Sequence, residues 1–395
     1  MVRFAHIADC HIGGWSEEKL KQLNLESFKL AIAISIQEKV SFILIAGDLF
    51  NTALPSIDLV KETASELKKL SNHKIHVYII PGSHDFSPSG KTMLDVLEKA
   101  GLCINLFKIE NNKLKITHDS SGIKLAGILG LIAGLDKTLY QNLDFSEIES
   151  EPGYKIFLLH TTIDEFKPKD MLSEGEPLSS LPRNFDYYAA GHVHYLFDKK
   201  INSGLLVYPG PTFPNNFKEL EELKHGNFCI VDTEQGMKRI PLEIKKVDSY
   251  SINADNKSPL QVEESILHTI RDVKDKIILL RIAGTLDSGS PSDINFKKIF
   301  SHYQDAYCIL KNTSKLISKE FAIQDIEESK IENIEEKILN ENLGKTKVSF
   351  NEQETALLLM KLFDQEKHEA EKQADFEARI EKNAITSLNL EKIWS

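Results

Sequence analysis

The sequence predicts an α/β fold: an α+β sandwich around a mainly parallel sheet. Three observations carry that expectation. First, short apolar runs alternate with helix-length amphipathic stretches over residues 1–130, the pattern of strands joined by crossover helices. Second, the stretch from about 103 to 235 turns strand-rich, with long polar loops between the runs. Third, five of the apolar runs empty directly into Asp or His. In open α/β sheets, chemistry gathers at the carboxyl ends of strands.

Phe4–Ala8 leads into Asp9-Cys10-His11-Ile12-Gly13-Gly14. A helix follows, opened near Ser16 with Glu18 and Lys19, with Leu20, Leu23, Phe28, Ile32 and Ile36 on one face. Phe42–Ala46 leads into Gly47-Asp48, and Leu54-Pro55-Ser56 starts a second helix through Leu59, Leu67 and Leu70. Ile75–Ile80 leads into Pro81-Gly82-Ser83-His84-Asp85. Ser87-Pro88-Ser89 then opens a third helix that Gly101 closes. Further strands are expected at Lys113–Thr117, Ile123–Leu129, Lys155–Leu159 ending in His160, Tyr187–Ala190 ending in Gly191-His192-Val193-His194, Leu205–Tyr208 and Asn227–Val231. The loop 164–184 is long enough to be either functional or disordered.

Composition shifts near 239–260, where Ser249 to Pro259 reads as turn-rich. A small αβ unit follows, with helices at 260–274 and 293–303 and strands at 276–282 and 306–311. The expected division is 1–238 as the catalytic domain, 239–314 as a capping domain, 315–350 as an acidic linker and 351–395 as a helical segment. In that last segment Ala356, Leu359, Met360 and Phe363 form one stripe and Leu357, Leu358 and Leu362 cover the other side. A helix apolar nearly all round needs a cover, and a partner helix is favoured over self-packing.

The 395 residues suit two or three domains. Net charge is -11, but residues 321–395 hold 17 acidic and 10 basic residues, so the first 320 carry only -4. Acidity therefore does not exclude nucleic acid. Cys10, Cys103, Cys229 and Cys308 are dispersed, with no CxxC pair, which argues against a disulfide framework or a zinc finger. The start of the chain lacks a signal-like apolar stretch, and no run approaches the ~18–20 residues that span a bilayer. A reduced, soluble, intracellular protein without membrane partners is expected.

Asp9-x-His11 sets two ligands past one strand, and Asp48 follows the neighbouring strand. A carboxylate can bridge two cations, and His160, His192 and His194 add imidazoles. Two divalent cations held there would polarise a phosphodiester and activate a water for in-line attack. Imidazole mixed with carboxylate suits Mn, Fe or Zn better than Ca or Mg. His84 is placed to protonate the leaving oxygen or to stabilise the charge at phosphorus, with Asp85 orienting its ring. Each motif alone is weak; the ordered set is strong because all five sit at strand ends. Lys91, Lys167, Lys169 and Arg183 flank the site loops as weaker candidates for phosphate contact, with solvated surface charge the commoner role. Ser89-Gly90-Lys91-Thr92 imitates the end of a P-loop, but Asp85 stands where that motif needs Gly.

The ordered motifs D-x-H, G-D, G-x-H-D, H and G-H-x-H resemble the calcineurin-like metallophosphoesterase superfamily. Within it, Ile7-Ala8-Asp9-Cys10-His11-Ile12-Gly13 and Ala46-Gly47-Asp48-Leu49-Phe50 are similar to the DNA double-strand-break repair nucleases of the Mre-eleven/SbcD family. The resemblance implies two Mn2+ per subunit. Asp9, His11 and His194 would hold one ion, Asp48 would bridge, and His160 and His192 would hold the second with Ser83 as its remaining ligand. His84 would be the catalytic histidine. The implied activities are 3′-to-5′ double-strand exonuclease and single-strand endonuclease on DNA ends. The implied partners are a Rad-fifty/SbcC-like ATPase bound through 351–395 and a second copy of the chain met through helices at about 56–70 and 90–100. A cytoplasmic, nucleoid-associated location goes with them.

Two positions depart from the family pattern: Ser83 replaces the Asn of G-N-H-D, and Asn51 replaces a common His after G-D-L-F. Two other readings therefore stay open: a different dimetal phosphatase or phosphodiesterase, and a weakly active or inactive DNA-end scaffold for the ATPase.

Overall fold

The computed structural model describes residues 1–87, 92–131, 135–167, 175–201, 204–319, 379–380 and 382–385. Strand β1 (Arg3–Ile7), helix α1 (Glu18–Gln37), β2 (Phe42–Ala46), α2 (Ile57–Asn72), β3 (His76–Ile80), α3 (Met93–Lys99) and β4 (Ile104–Asn105) make up the βα alternation. A small hairpin, β5 (Ile109–Glu110) and β6 (Lys113–Leu114), precedes β7 (Thr117–His118) and β8 (Lys124–Gly127). Then come α4 (Leu135–Asn142), α5 (Ser146–Ser150), β9 (Lys155–His160), β10 (Tyr187–Gly191), β11 (Phe197–Ile201) and β12 (Gly204–Tyr208). Helix α6 (Phe217–Leu223), β13 (Gly226–Asp232) and β14 (Gly236–Leu242) complete the core. The capping domain contains β15 (Val247–Asn253), α7 (Pro259–Thr269), β16 (Ile277–Leu286), α8 (Phe296–His302) and β17 (Cys308–Ser318).

Two six-stranded sheets form the sandwich, in the orders β14-β13-β1-β2-β3-β4 and β11-β12-β10-β9-β8-β7. β1 to β4 run parallel, as do β8, β9, β10 and β12. Each sheet buries both faces, so strands such as Phe42–Ala46 read as continuous apolar runs. Phe4, Phe42, Leu44, Ile80, Ile156, Leu158 and Val207 interlock between the sheets. Ala5, Ile43, Ile45 and Ile79 face the other way, against Phe28, Ile32, Leu67, Leu70 and Leu97 of α1, α2 and α3. The outer face of the second sheet is covered by its loops and by α4 and α5, through Ile148, Ile163, Leu181 and Phe185.

The capping domain is a three-stranded parallel sheet, β15-β16-β17. Helices α7 and α8 cover one face through Val262, Ile266 and Ile299. Its other face, with Ile277 and Leu279, packs on Leu20 and Leu23 of α1 and Leu220 of α6. The cap is thus seated on two core helices by a continuous apolar cluster.

Several boundaries differ from the sequence expectation. The stretch from Ser249 is not a turn-rich linker at its start, because β15 runs to Asn253 and pairs in parallel with β16. Its pattern, VDSYSIN, is too polar to declare a strand; the pairing partner supplies the reason for it. β14 crosses the expected 238/239 boundary and stays in the core sheet. β17 continues past 314 to Ser318, so the linker does not begin at 315. Lys113–Thr117 is two short strands in different sheets rather than one. The first capping helix ends at Thr269 instead of 274. β4, β5, β11, β14, α4, α5 and α6 have no counterpart among the expected elements. The opening of the third helix at 87–89 and the segment 351–395 lie outside the described residues, apart from residue 87 and the short pieces at 379–380 and 382–385. All four cysteines are free thiols. Among the described residues no helix is long and apolar enough to cross a membrane.

Candidate metal centre

The five strand ends meet at one edge of the sandwich. The loops after β1 and β2 are zipped together by backbone hydrogen bonds, Asp9 N–H to Gly47 O (3.2 Å), His11 N–H to Asp48 O (2.9 Å) and Ile12 N–H to Leu49 O (3.0 Å). That brings Asp9, His11 and Asp48 side by side. Buried Asn24 braces the first loop from α1, donating to Cys10 O at 2.7 Å and accepting from Gly13 N–H at 3.2 Å. The second sheet closes on the first at Gly191, where a Cβ would lie 2.1 Å from Ala46 O and 2.9 Å from His160 Nδ1. Only glycine permits that approach.

Asp9, His11, Asp48 and His192 all have positive φ, at 51°, 42°, 52° and 92°. Non-glycine residues rarely adopt this region, and such strain collects at functional sites. The side chains form three overlapping groups whose ligand atoms lie within 4.8 Å of one another: Asp9, His11 and His194; His11, Asp48 and His84; and Asp9, Asp48 and His160. His11 Nε2 faces His194 Nε2 at 3.0 Å. His160 Nε2 lies 3.1 Å from Asp48 Oδ2, and the His192 ring stands 5.2 Å from the His160 ring, centroid to centroid. Ser83 is half-buried in the turn between Gly82 and His84. The exposed His84 is anchored on both sides: its N–H donates to Asp48 Oδ1 at 2.8 Å and its Nδ1 meets Asn51 O at 2.9 Å.

Burial is the largest single influence on the titration of Asp9, His11, Asp48, His160 and His192. Burial raises the Asp9 carboxyl to about 6, against the pull of His194 and His160. Burial lowers His11 to about 3 and His192 to about 4, keeping both imidazoles neutral. Burial also opposes a charge on His160, but Asp48 outweighs it and lifts that imidazole to about 10. The same attraction overcomes burial at Asp48 and holds its carboxyl well below the usual range. Asp9 Oδ2 and His11 Nδ1 are buried without a hydrogen-bond partner. Buried carboxylates and orphaned imidazole nitrogens are costly unless a cation joins them. The residues present therefore fit a two-metal site.

Two sequence expectations need correction. Asp85 does not orient His84. Its carboxylate accepts from Leu49 N–H, Phe50 N–H and Gly82 N–H, each at 3.1 Å, stapling the loop after β2 to the turn after β3. Burial, then repulsion from Asp48, raises this carboxyl to about 7 despite those donors. The ring of His84 is held by Asn51 instead. Arg183 does not flank the site. It precedes β10 at the strand's starting end, where its N–H donates to Glu149 at 2.7 Å. Lys167 is near the site side of the second sheet, with an ion pair to Asp164 at 2.9 Å. Lys91 and Lys169 lie outside the described residues.

One residue went unnoticed in the sequence. Glu219 of α6 meets His194 Nδ1 at 2.9 Å. The signal was present: Asn216 followed three residues later by Glu219 is a helix-start pattern, and Asn216 does cap α6 by accepting from Glu219 N–H at 3.0 Å.

Residues 2–196 match the family model for calcineurin-like phosphoesterase. All of the clustered ligands, from Asp9 to His194, fall inside that span. Three curated archaeal relatives carry the name "DNA double-strand break repair protein Mre11". The one from Methanocaldococcus jannaschii is 30% identical over 244 residues, covering 58% of this chain and 62% of that protein, which is less than two thirds of its length. The one from Thermoplasma acidophilum is 26% identical over 285 residues, covering 70% and 72%. The one from Sulfolobus acidocaldarius is 26% identical over 339 residues, covering 81% and 85%. The clustered side chains, the sandwich and these relatives agree: residues 2–196 are a calcineurin-like phosphoesterase domain, and the chain is similar to archaeal Mre11 proteins.

Proposed function

We propose that this chain is the Mn-dependent nuclease subunit of a DNA double-strand-break repair complex, acting as a 3′-to-5′ exonuclease on duplex ends and an endonuclease on single strands. The observation that carries the reading is the sharing of Asp9, His11 and Asp48 among three ligand groups, the arrangement a bridging carboxylate needs. Asp9, His11 and His194 would hold one ion, and Asp48, His160 and His192, with Ser83, the other. Bound divalent cations would supply charge neutralisation on the phosphodiester and a water of lowered pKa.

The chain's own residues do the rest. His160 donates Nδ1–H to Ala46 O at 2.7 Å, which turns Nε2 toward the site. His192 N–H donates to Asp9 Oδ1 at 2.8 Å, fixing that carboxylate and leaving Oδ2 for the ion. His84, exposed at the rim and donating Nδ1–H to Asn51 O, can deliver a proton from Nε2 to the leaving oxygen when it enters the step as the imidazolium, leaving the neutral ring.

The test is hydrolysis of linear DNA against hydrolysis of a nitrophenyl phosphodiester, with Mn2+ or Mg2+. DNA degradation that needs Mn2+ and disappears in His84→Ala supports the reading. Cleavage of the small ester alone, or no activity with any metal, defeats it in favour of a phosphatase or a scaffold respectively.

Two partners complete the proposal. The segment 351–395, expected from its apolar spacing to be helical, docks on the coiled coil of a Rad-fifty/SbcC-like ATPase, so its deletion abolishes association. A second copy of the chain is met through α2 and α3, a reading supported by Leu54, Ile57 and Val96, exposed at 68%, 84% and 55%. Ile57→Glu is expected to shift sedimentation from dimer to monomer.

A further inference from the structure

The proposed metal centre has a second support that reaches outside the phosphoesterase core. His194 Nδ1 contacts Glu219 Oε1 at 2.9 Å, and both side chains are mostly buried, at 19% and 17% exposed. Glu219 itself is held firmly. Its Oε2 accepts from Asn215 N–H at 2.7 Å, and its Oε1 also accepts from Asn216 Nδ2 at 2.5 Å. A carboxylate has no proton to give here, so His194 must donate Nδ1–H. That places the lone pair on Nε2, the atom 3.0 Å from His11 Nε2 inside the ligand group.

Helix α6, which carries Glu219, is gripped on another side by the capping domain. Arg281 of β16 donates Nε–H to Glu221 Oε1 at 3.1 Å and Nη2–H to Glu221 Oε2 at 2.5 Å. The same guanidinium lies 5.1 Å from the centre of the Phe217 ring. Leu220, fully buried, packs with Ile277 and Leu279 of β16. Three side chains of one short helix thus contact the cap while a fourth orients a ligand. A carboxylate paired to a ligand imidazole fixes its tautomer and raises its basicity.

We infer that Glu219 is a positioning residue for the ligand His194, and that the capping domain sets its place through the Arg281–Glu221 pair on the same helix. The inference rests on the metal-centre reading above and adds to it a physical link between cap and site. A shift of the cap would move α6, and with it the aim of His194.

The experiment titrates the full-length, chelator-treated protein with MnCl2 in a calorimeter. Glu219→Gln sets an amide NH2 against either Asn215 N–H or His194 Nδ1–H, so it cannot satisfy both. It is expected to weaken Mn2+ binding about 10- to 100-fold, measured at a temperature where the metal-free variant is still folded. Arg281→Met is expected to weaken binding several-fold in the native background and to add nothing on top of Glu219→Gln, the non-additivity of a shared path. Affinity within twofold of native in Glu219→Gln overturns the positioning role, and an equal effect of Arg281→Met in both backgrounds overturns the link to the cap. A native chain that binds no Mn2+ defeats the metal-centre reading itself. Imidazole 15N shifts of native, metal-free His194 supply an independent check. They should report a proton on Nδ1, and the opposite tautomer sinks the inference whatever the variants do.

Discussion

The backbone carbonyl of Asn51 meets His84 Nδ1 at 2.9 Å, so the proton-transfer candidate is anchored by main chain at the very position where the side chain departs from the family pattern. The contact is indifferent to which side chain residue 51 carries. Asn51→Ala is therefore expected to leave DNA hydrolysis within a few-fold of native, whereas His84→Ala loses about 10²- to 10⁴-fold, the usual worth of a positioned general acid. Steady-state rates with saturating Mn2+ decide it. Equal losses in the two variants would mean that the Asn51 side chain, not its carbonyl, sets the ring.

Asp85 is a structural staple, and its removal should be felt in stability before rate. Asp85→Ala leaves three buried N–H groups without an acceptor. A cost of about 2–4 kcal/mol is expected, read from urea unfolding of the chelator-treated protein. A variant of native stability but low rate would return Asp85 to the orienting role that the sequence suggested.

Ion binding should stabilise the fold, because the unfolded chain cannot assemble the site. At a free ion concentration 100 times the dissociation constant, the gain is about 2.7 kcal/mol. Asp48 belongs to two of the three ligand groups, so Asp48→Asn should abolish most of the rise in melting temperature on adding Mn2+. A full rise in that variant would place the ion elsewhere.

At the opposite end of the first sheet, Asp119 provides a pH dependence unconnected with metal. Burial opposes its charge, but hydrogen bonds from Ser121 and Tyr78 (2.7 and 2.8 Å) outweigh it, and its carboxyl is held below the usual value. A depressed carboxyl adds stability above its unfolded pKa of about 3.9 and loses it as pH falls through the lower folded value. Asp119→Asn should accordingly be less stable than native by a constant margin between about pH 5 and 8, closing below about pH 4. Denaturant midpoints across that range test it, and a margin that widened in acid would reverse the sign.

The candidate site residues were legible because they lie at or just past the ends of five strands. Continuous apolar runs such as Phe42–Ala46 announce buried strands, and a polar residue at the end of such a run has little choice but to face the sheet edge. Asp9, His11, Asp48, His84, His160, His192 and His194 were all readable on that basis. Arg183 and Asp85 were misplaced because proximity in sequence to a motif says nothing about which end of a sheet a loop reaches, or which of several donors a carboxylate meets. The helix start around Glu219 is legible but its contact is not, for the same reason: it lies 25 residues from the imidazole it touches.

The sequence by itself determined the βα alternation, the strand-end ligands and the separation of a small αβ unit, since these follow from local periodicity and from residues adjacent in the chain. Only the tertiary structure decided that β15 is a strand, that Asn51 rather than Asp85 holds His84, and that one helix, α6, touches both the cap and His194. Those outcomes depend on pairings across tens to hundreds of residues, where the geometry of packed sheets, and not local preference, selects the partner.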